Sequence, residues 1–279
     1  MTFQFSGSEH INAPIVALHS SASNGGQWKQ LAHDLGERFT VHAFDLPGYG
    51  RNPLTGDRSQ TGTAISAMPV VKEIERMGSP VHLVGHSNGG GVALKIALMR
   101  PDLVKSLTIY EPATFHFLKN GDRICRALYG QIRQVSKVLT AAYERDDASA
   151  GMKHFLNFWN GEGFWETLPP HAKQRFAGMI SSVLSDFRNG FAETWEPQDL
   201  SMLEMPALVM TGLDSPELTQ RVSVEIARAL PSARIALLPE LGHMAPVCQP
   251  EWINSRILEH VACVERPVAN CSWPTRKAA

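Results

Sequence analysis

The sequence has no apolar run long enough to cross a bilayer. Its longer apolar stretches, such as residues 13–18 and 207–210, have the length of a strand, whereas a membrane-spanning helix needs about 20 residues. It also lacks an excess of either charge, because 26 Lys and Arg residues stand against 27 Asp and Glu residues. We therefore expect neither a membrane nor a nucleic acid as the main partner.

Cysteine is scarce, with only Cys125, Cys248, Cys263 and Cys271 in the chain. None of them forms a C-x-x-C pair or has zinc-like spacing to a histidine, so we expect no metal site. Free thiols in a reducing cytoplasm are the favoured interpretation, and a bridge between Cys263 and Cys271 is the alternative. The first residues show no charged region followed by an apolar one, which also favours a cytoplasmic protein.

The sequence does contain a regular alternation of strand-like and helix-like segments. This alternation predicts an α/β fold with a mostly parallel central sheet flanked by helices. The predicted strands are residues 14–18, 39–44, 81–84, 106–110, 206–211 and 233–238. The predicted helices between and after them are residues 27–35, 63–77, 88–99, 217–230 and 251–264.

Residues 115–199 interrupt this alternation with helical patterns and no convincing strand. Helices are predicted at residues 124–143, 153–159 and 172–184, in a region rich in aromatic side chains. We interpret 115–199 as a helical cap inserted into an α/β core of residues 1–114 and 200–264. Residues 265–279 are expected to form an irregular tail.

The strongest motif is Gly85-His86-Ser87-Asn88-Gly89, which matches G-x-S-x-G. It lies between a predicted strand and a predicted helix, the context in which this motif forms a nucleophile elbow. A sharp turn of this kind exposes the hydroxyl of Ser87 and leaves no room for side chains at Gly85 and Gly89. The alternative is a serine that only caps a helix.

His243 is the predicted general base among eleven histidines. It follows the last predicted strand, and the order serine, acid, histidine along the chain is the one expected for a triad built on such an elbow. His86, inside the elbow, and His19, in the loop after the first predicted strand, are interpreted as local structural groups.

Two carboxylates compete for the role of triad acid. Asp214 follows the strand at 206–211 and is slightly favoured, although its turn is one residue shorter than the common pattern. Glu111 ends the neighbouring strand at 106–110 and could also reach the imidazole. Either carboxylate could hold the histidine tautomer and stabilise the imidazolium.

Acyl transfer also needs hydrogen-bond donors for the developing oxyanion. We expect one from the backbone N–H of Asn88 and one from Ser21, in the loop of residues 19–26. The alternative for that loop is a flexible polar connection without a role.

Taken together, these segments resemble the α/β-hydrolase superfamily, in its capped branch of esterases, lactonases, dehalogenases and C–C bond hydrolases. The resemblance covers nearly the whole chain, including His19-Ser20-Ser21, the elbow and Gly242-His243. It keeps Glu111 in consideration, because related haloalkane dehalogenases carry their acid at that position. Dehalogenases and epoxide hydrolases use an aspartate nucleophile, so Ser87 disfavours both activities. Relatives begin with a β-hairpin, for which only Thr2–Phe5 is available here.

The expected activity is hydrolysis of a small, fairly apolar ester or lactone through an acyl-enzyme, without a cofactor. C–C bond hydrolysis, perhydrolysis and acyl transfer use the same triad and remain open, as does a ligand-binding receptor without activity. Beyond a small-molecule substrate, the only further partner considered is a second copy in a homodimer. The candidate pocket residues are His19, Phe115, Phe117, Trp159, Phe164, Trp165, Trp195 and Met244.

Overall fold

A seven-stranded sheet forms the centre of the protein in a computed structural model that describes residues 2–5, 12–36, 38–54 and 61–266. The spatial order of the strands is β1-β3-β2-β4-β5-β6-β7. Strand β1 pairs antiparallel with β3, and β2 to β7 are parallel. The predicted fold class is thereby confirmed. The strands are β1 (Thr2–Phe5), β2 (Ile15–Leu18), β3 (Val41–Phe44), β4 (Val81–His86), β5 (Val104–Tyr110), β6 (Ala207–Gly212) and β7 (Ala233–Leu238).

Helices cover both faces of this sheet, as a parallel sheet requires. They are α1 (Lys29–Leu35), α2 (Ala64–Met77), α3 (Asn88–Met99), α4 (Arg123–Glu144), α5 (Ala148–Asn160), α6 (Phe164–Thr167), α7 (Pro170–Ala177), α8 (Ile180–Phe191), α9 (Glu217–Ala229), α10 (Ala245–Cys248) and α11 (Pro250–Glu265). Helices α1 and α11 pack on one face, and α2, α3 and α9 pack on the other.

Strand β2 shows how the sequence separates these two layers. All four of its side chains are buried, so it reads as a continuous apolar run. Val16 and Leu18 belong to the core with α2 and α3, whereas Ile15 and Ala17 belong to the core with α1 and α11. Alternate residues of a strand point to opposite faces, and this period of two assigns each side chain to its layer.

The segment between β5 and β6, which we call the cap, contains α4 to α8. Its apolar side chains join the core on the α2 and α3 side, as Leu128 of α4 and Met152 of α5 illustrate. The single helix predicted at residues 172–184 is wrong: Gly178 and Met179 separate α7 from α8. As a division into domains, the boundaries given above stay a prediction.

Two further expectations concern the ends of the chain. Thr2–Phe5 forms one strand where relatives of the resembled branch begin with a hairpin, and residues 267–279 of the predicted tail lie outside the described residues.

The expectation of free thiols is wrong for Cys263, which is disulfide-bonded, whereas Cys125 and Cys248 are free. Over the described ranges, no helix combines the length and the apolar character needed to span a membrane.

Candidate active site

Ser87 lies at a sharp turn between β4 and α3. Its backbone has φ of 53° and ψ of −117°, a strained conformation for a residue with a side chain. A Cβ atom added to Gly85 would lie 2.5 Å from the Gly89 carbonyl oxygen, and one added to Gly89 would collide with the Leu18 carbonyl. The two glycines of the motif are therefore required by close backbone contacts.

A chain of hydrogen bonds connects Ser87 to a buried carboxylate. The Ser87 hydroxyl lies 3.1 Å from Nε2 of His243, and Nδ1 of His243 lies 2.6 Å from Oε2 of Glu111. Because Nδ1 faces a carboxylate, it carries the proton, which leaves Nε2 to accept from the serine. The arrangement has the geometry of a nucleophile, a base and an orienting acid. Parallel strands β4, β5 and β7 all end at this edge of the sheet.

Glu111, and not Asp214, is the carboxylate that contacts the imidazole, which corrects the preference stated above. Its second oxygen, Oε1, accepts hydrogen bonds from the Thr211 hydroxyl and the Gly212 backbone N–H, both at 2.8 Å. Burial by itself would raise the pKa of Glu111. The contacts with His243 and Thr211 outweigh burial and hold the pKa below its ordinary value. Asp214 is exposed, in a turn where its backbone N–H donates to the Leu241 carbonyl.

Two buried aromatic residues hold the backbone around His243. The Tyr110 hydroxyl donates to the Gly242 carbonyl at 2.7 Å, and Nε2 of His86 donates to the His243 carbonyl at 2.9 Å. Burial lowers the pKa of His86 well below its usual value, so its ring is neutral. Its Nδ1 therefore accepts from the Gln27 amide at 3.0 Å. His86 positions the loop of the base, in line with the interpretation of a local structural group.

The loop after β2 carries Ser21 into the cavity wall that also includes Ser87. Neither the backbone N–H of Ser21 nor that of Asn88 donates to any acceptor in the described ranges. Gly89 N–H binds the His19 carbonyl at 3.1 Å and joins this loop to the elbow. Both N–H groups are thus available for an oxyanion, and their role stays a prediction.

His19 supports this loop from below and does not line the cavity, contrary to its place among the pocket candidates. Its Nδ1 contacts the Ser20 carbonyl at 2.7 Å, and its Nε2 accepts from the Leu46 N–H at 2.9 Å. Burial lowers the pKa of His19 to about 4, which agrees with a neutral ring that donates at one nitrogen and accepts at the other.

A cavity of about 290 Å³ opens over Ser87 and His243, between the sheet edge and the cap. Four of the predicted pocket residues line it: Phe115, Trp159, Phe164 and Met244. Phe117 and Trp195 do not, because they pack edge to face against each other and against His116. Trp165 is buried within the cap, where Lys173 lies over its ring.

Asp186 of α8, which was not among the predicted site residues, also lines the cavity with its carboxyl group. Its Oδ2 accepts hydrogen bonds from the Ser21 hydroxyl at 2.6 Å and the Tyr49 hydroxyl at 2.5 Å. Asp186 comes three residues after buried Val183, so helical spacing alone places it near the inner face. The predicted helix ended at residue 184 and excluded it.

In the described part of the chain, no group of His, Cys, Asp or Glu side chains is arranged to hold a metal ion.

Comparisons with known proteins agree with this architecture. A pimeloyl-[acyl-carrier protein] methyl ester esterase from Aeromonas hydrophila is 35% identical over 264 residues, which cover 88% of this chain and 94% of the relative. A (E)-2-((N-methylformamido)methylene)succinate hydrolase from Acinetobacter baylyi is 21% identical over 254 residues, covering 86% and 87% of the two chains. The structure of a thermophilic esterase from Thermogutta terrifontis superimposes with a TM-score of 0.71 at 20% identity, covering 95% of this chain and 94% of the other.

The model of the alpha/beta hydrolase family matches residues 15–256, which include β2 to β7 and the whole cap. Ser87, Glu111 and His243 all fall inside the matched range. The chain belongs to the alpha/beta hydrolase family.

Proposed function

We propose that this protein is a serine hydrolase that cleaves a small, fairly apolar carboxylic ester or lactone. The observation that carries the proposal is the continuous hydrogen-bonded chain from Ser87 through His243 to Glu111, at the floor of a cavity beneath the cap. The names of the similar proteins support the ester class, since two of them are esterases.

In the first half of the reaction, the Ser87 oxygen attacks the substrate carbonyl carbon while its proton passes to Nε2 of His243. The negative charge that develops on the carbonyl oxygen is bound by the N–H groups of Asn88 and Ser21. Glu111 stabilises the imidazolium formed at His243. When the tetrahedral intermediate collapses, the alkoxide leaves and takes the proton from Nε2, so an alcohol and an acyl-enzyme remain.

In the second half, water replaces the alcohol. His243 takes a proton from the water as its oxygen attacks the acyl carbon, and it returns that proton to Ser87 when the acid is released. No step requires a metal or an organic cofactor. The cavity favours an apolar substrate because aromatic and aliphatic side chains form much of its wall, among them Phe155, Leu156, Phe187 and Phe191.

The proposal is tested by covalent labelling combined with turnover. A fluorophosphonate should label Ser87 in the purified protein, as located by peptide mass spectrometry, and p-nitrophenyl esters of rising chain length should be hydrolysed alongside a panel of lactones. Ser87→Ala is the matched control and should abolish both signals while keeping the circular dichroism of the parent. A folded parent that is neither labelled nor active on any ester or lactone contradicts the proposal. Ligand binding that persists in Ser87→Ala, without turnover by the parent, would indicate a receptor.

A further inference from the structure

Besides Ser87 and His243, the cavity contains two polar side chains near the loop of residues 19–26. Asp186 of α8 and Asn88 of the elbow both line the cavity, although its wall is mainly apolar. A carboxyl and an amide placed among aromatic rings cost free energy unless they are hydrogen-bonded. Neither side chain takes part in the transfer of the proton between Ser87 and His243.

The hydrogen bonds of Asp186 are all on one of its oxygens. Oδ2 accepts from both the Ser21 and Tyr49 hydroxyls, whereas Oδ1 accepts no hydrogen bond from the described residues. Close by, Nδ2 of Asn88 is buried and makes no hydrogen bond of normal geometry with the described residues, although its weak contact with the Asp186 carboxyl lowers the pKa of that group. The site thus places an amide donor and a carboxyl acceptor side by side in the cavity wall, and neither has a well-formed hydrogen bond at Nδ2 or Oδ1.

A group that satisfies both must accept one hydrogen bond and donate another. A hydroxyl does this, because its oxygen has lone pairs and carries one proton. An ammonium group only donates, and a carbonyl group only accepts. The charge at the cavity also disfavours a cation, since Arg175 lines it and Asp186 is the only carboxylate among the lining residues.

The protonation of Asp186 is compatible with the same ligand. Burial raises the pKa of Asp186 to about 7, more than the contacts with Ser21, Tyr49 and Asn88 lower it. Near neutral pH the carboxyl group is therefore present in both forms. A hydroxyl can donate to the carboxylate and accept from the carboxylic acid, so it can pair with either form.

We propose that Asp186 is a specificity-determining residue that binds a hydroxyl group on the substrate, close to the ester carbonyl, with the Asn88 amide as the second contact. The substrate class is accordingly a short hydroxy-ester and not a plain alkyl ester. This inference rests on the proposed function, because the hydroxyl is placed relative to a carbonyl attacked by Ser87.

The test compares esters that differ by one hydroxyl. Methyl butanoate, methyl 2-hydroxybutanoate and methyl 3-hydroxybutanoate are hydrolysed by the parent, Asp186→Ala and Asp186→Asn, and acid release is followed by titration. The parent should have a kcat/KM at least about tenfold higher for one hydroxy-ester than for the plain ester, as expected of a hydrogen bond to a charged group. Asp186→Ala should lose that ratio, because alanine has no acceptor, and Asp186→Asn should reduce it, because a neutral amide oxygen accepts a weaker hydrogen bond than a carboxylate does.

Tyr49→Phe is the matched control. It removes one hydrogen bond to Oδ2 and leaves Oδ1 unchanged, so the ratio between hydroxy-ester and plain ester should persist even if both rates change. Asp186→Asn has nearly the shape of the parent and decides the matter if Asp186→Ala does not fold.

Three results would overturn the inference: no preference for either hydroxy-ester in the parent, a preference that is undiminished in the Asp186 variants, or a stronger preference for the matching 2- or 3-amino ester. Fluorophosphonate labelling of the parent separates these from a failure of the proposed function. A labelled parent that hydrolyses all the esters equally refutes only the role of Asp186. An unlabelled, inactive parent refutes both.

Discussion

The indole ring of Trp159 stacks on the imidazole of His243, with 4.2 Å between the ring centroids and 29° between the ring planes. Trp159 comes from α5 of the cap, whereas His243 follows β7. The face of an aromatic ring carries partial negative charge and attracts a cation placed above it. The cap thus contributes directly to the environment of His243, whose imidazole becomes positively charged in the proposed mechanism.

Replacing Trp159 should therefore slow the chemical step. We expect Trp159→Leu to lower kcat for a p-nitrophenyl ester by roughly 5- to 30-fold, since a cation–π contact shielded from water contributes about 1–2 kcal/mol. Trp159→Phe retains an aromatic face and should lose less. Steady-state kinetics measure both. If the Leu and Phe variants have the same kcat, loss of packing and not loss of the ring face explains the effect.

The choice between the two carboxylates is tested by conservative amides. Glu111→Gln removes the charge next to Nδ1 of His243 and allows the wrong tautomer, so kcat should fall on the order of 10⁴-fold, by analogy with the serine protease triad. Asp214→Asn changes an exposed side chain in a turn and should have a rate close to that of the parent. Circular dichroism should be the same for the parent and both variants. A large loss in Asp214→Asn with an active Glu111→Gln would reverse the assignment.

The partly buried carboxyl of Asp186 should make stability depend on pH. Its pKa is raised from 3.8 to about 7 by burial. Because the unfolded chain releases this proton more readily, the contribution to stability is fully present below about pH 3.8 and is lost as pH rises towards 7 and above. Between pH 5 and pH 8 the loss is roughly 2–3 kcal/mol, taking about 1.4 kcal/mol for each unit of pKa difference.

Asp186→Asn removes this titration. We expect the difference in free energy of unfolding, variant minus parent, to become more positive between pH 5 and pH 8 in urea denaturation. Other ionisable groups titrate in both proteins and cancel in the difference. A difference that is constant with pH would mean that Asp186 titrates near its ordinary value.

The sequence was sufficient for the six parallel strands and for the residues that follow them, whereas the antiparallel edge strand β1 was not among the predicted strands. Short apolar runs separated by helices determine a parallel sheet, and the ends of its strands bring together residues as distant in sequence as Ser87 and His243. The acid was harder to assign, because Asp214 and Glu111 follow adjacent strands and only the three-dimensional path of the turn after β6 distinguishes them. The cap was least predictable. Its aromatic side chains fit both a cavity wall and a helix–helix contact, and only packing separates Trp159 from Trp195.

The tight backbone contact next to Ser87 provides a last prediction, which compares two glycines of the chain. Gly89 in the first turn of α3 packs against the carbonyl groups of Leu18, the last residue of β2, and His19, the first residue of the loop that carries Ser21. Gly130 lies in the exposed middle of α4, where an added Cβ atom would meet nothing within 4 Å. Gly89→Ala should destabilise the protein by about 1–3 kcal/mol through overpacking, and it should lower kcat because the loop that carries Ser21 must shift. Gly130→Ala should stabilise the protein by about 0.5–1 kcal/mol, since alanine loses less backbone entropy in a helix.

Urea denaturation and ester turnover measure both effects. Equal stability and equal turnover in the two variants would mean that the elbow tolerates a side chain and that the close contact is not what selects glycine there.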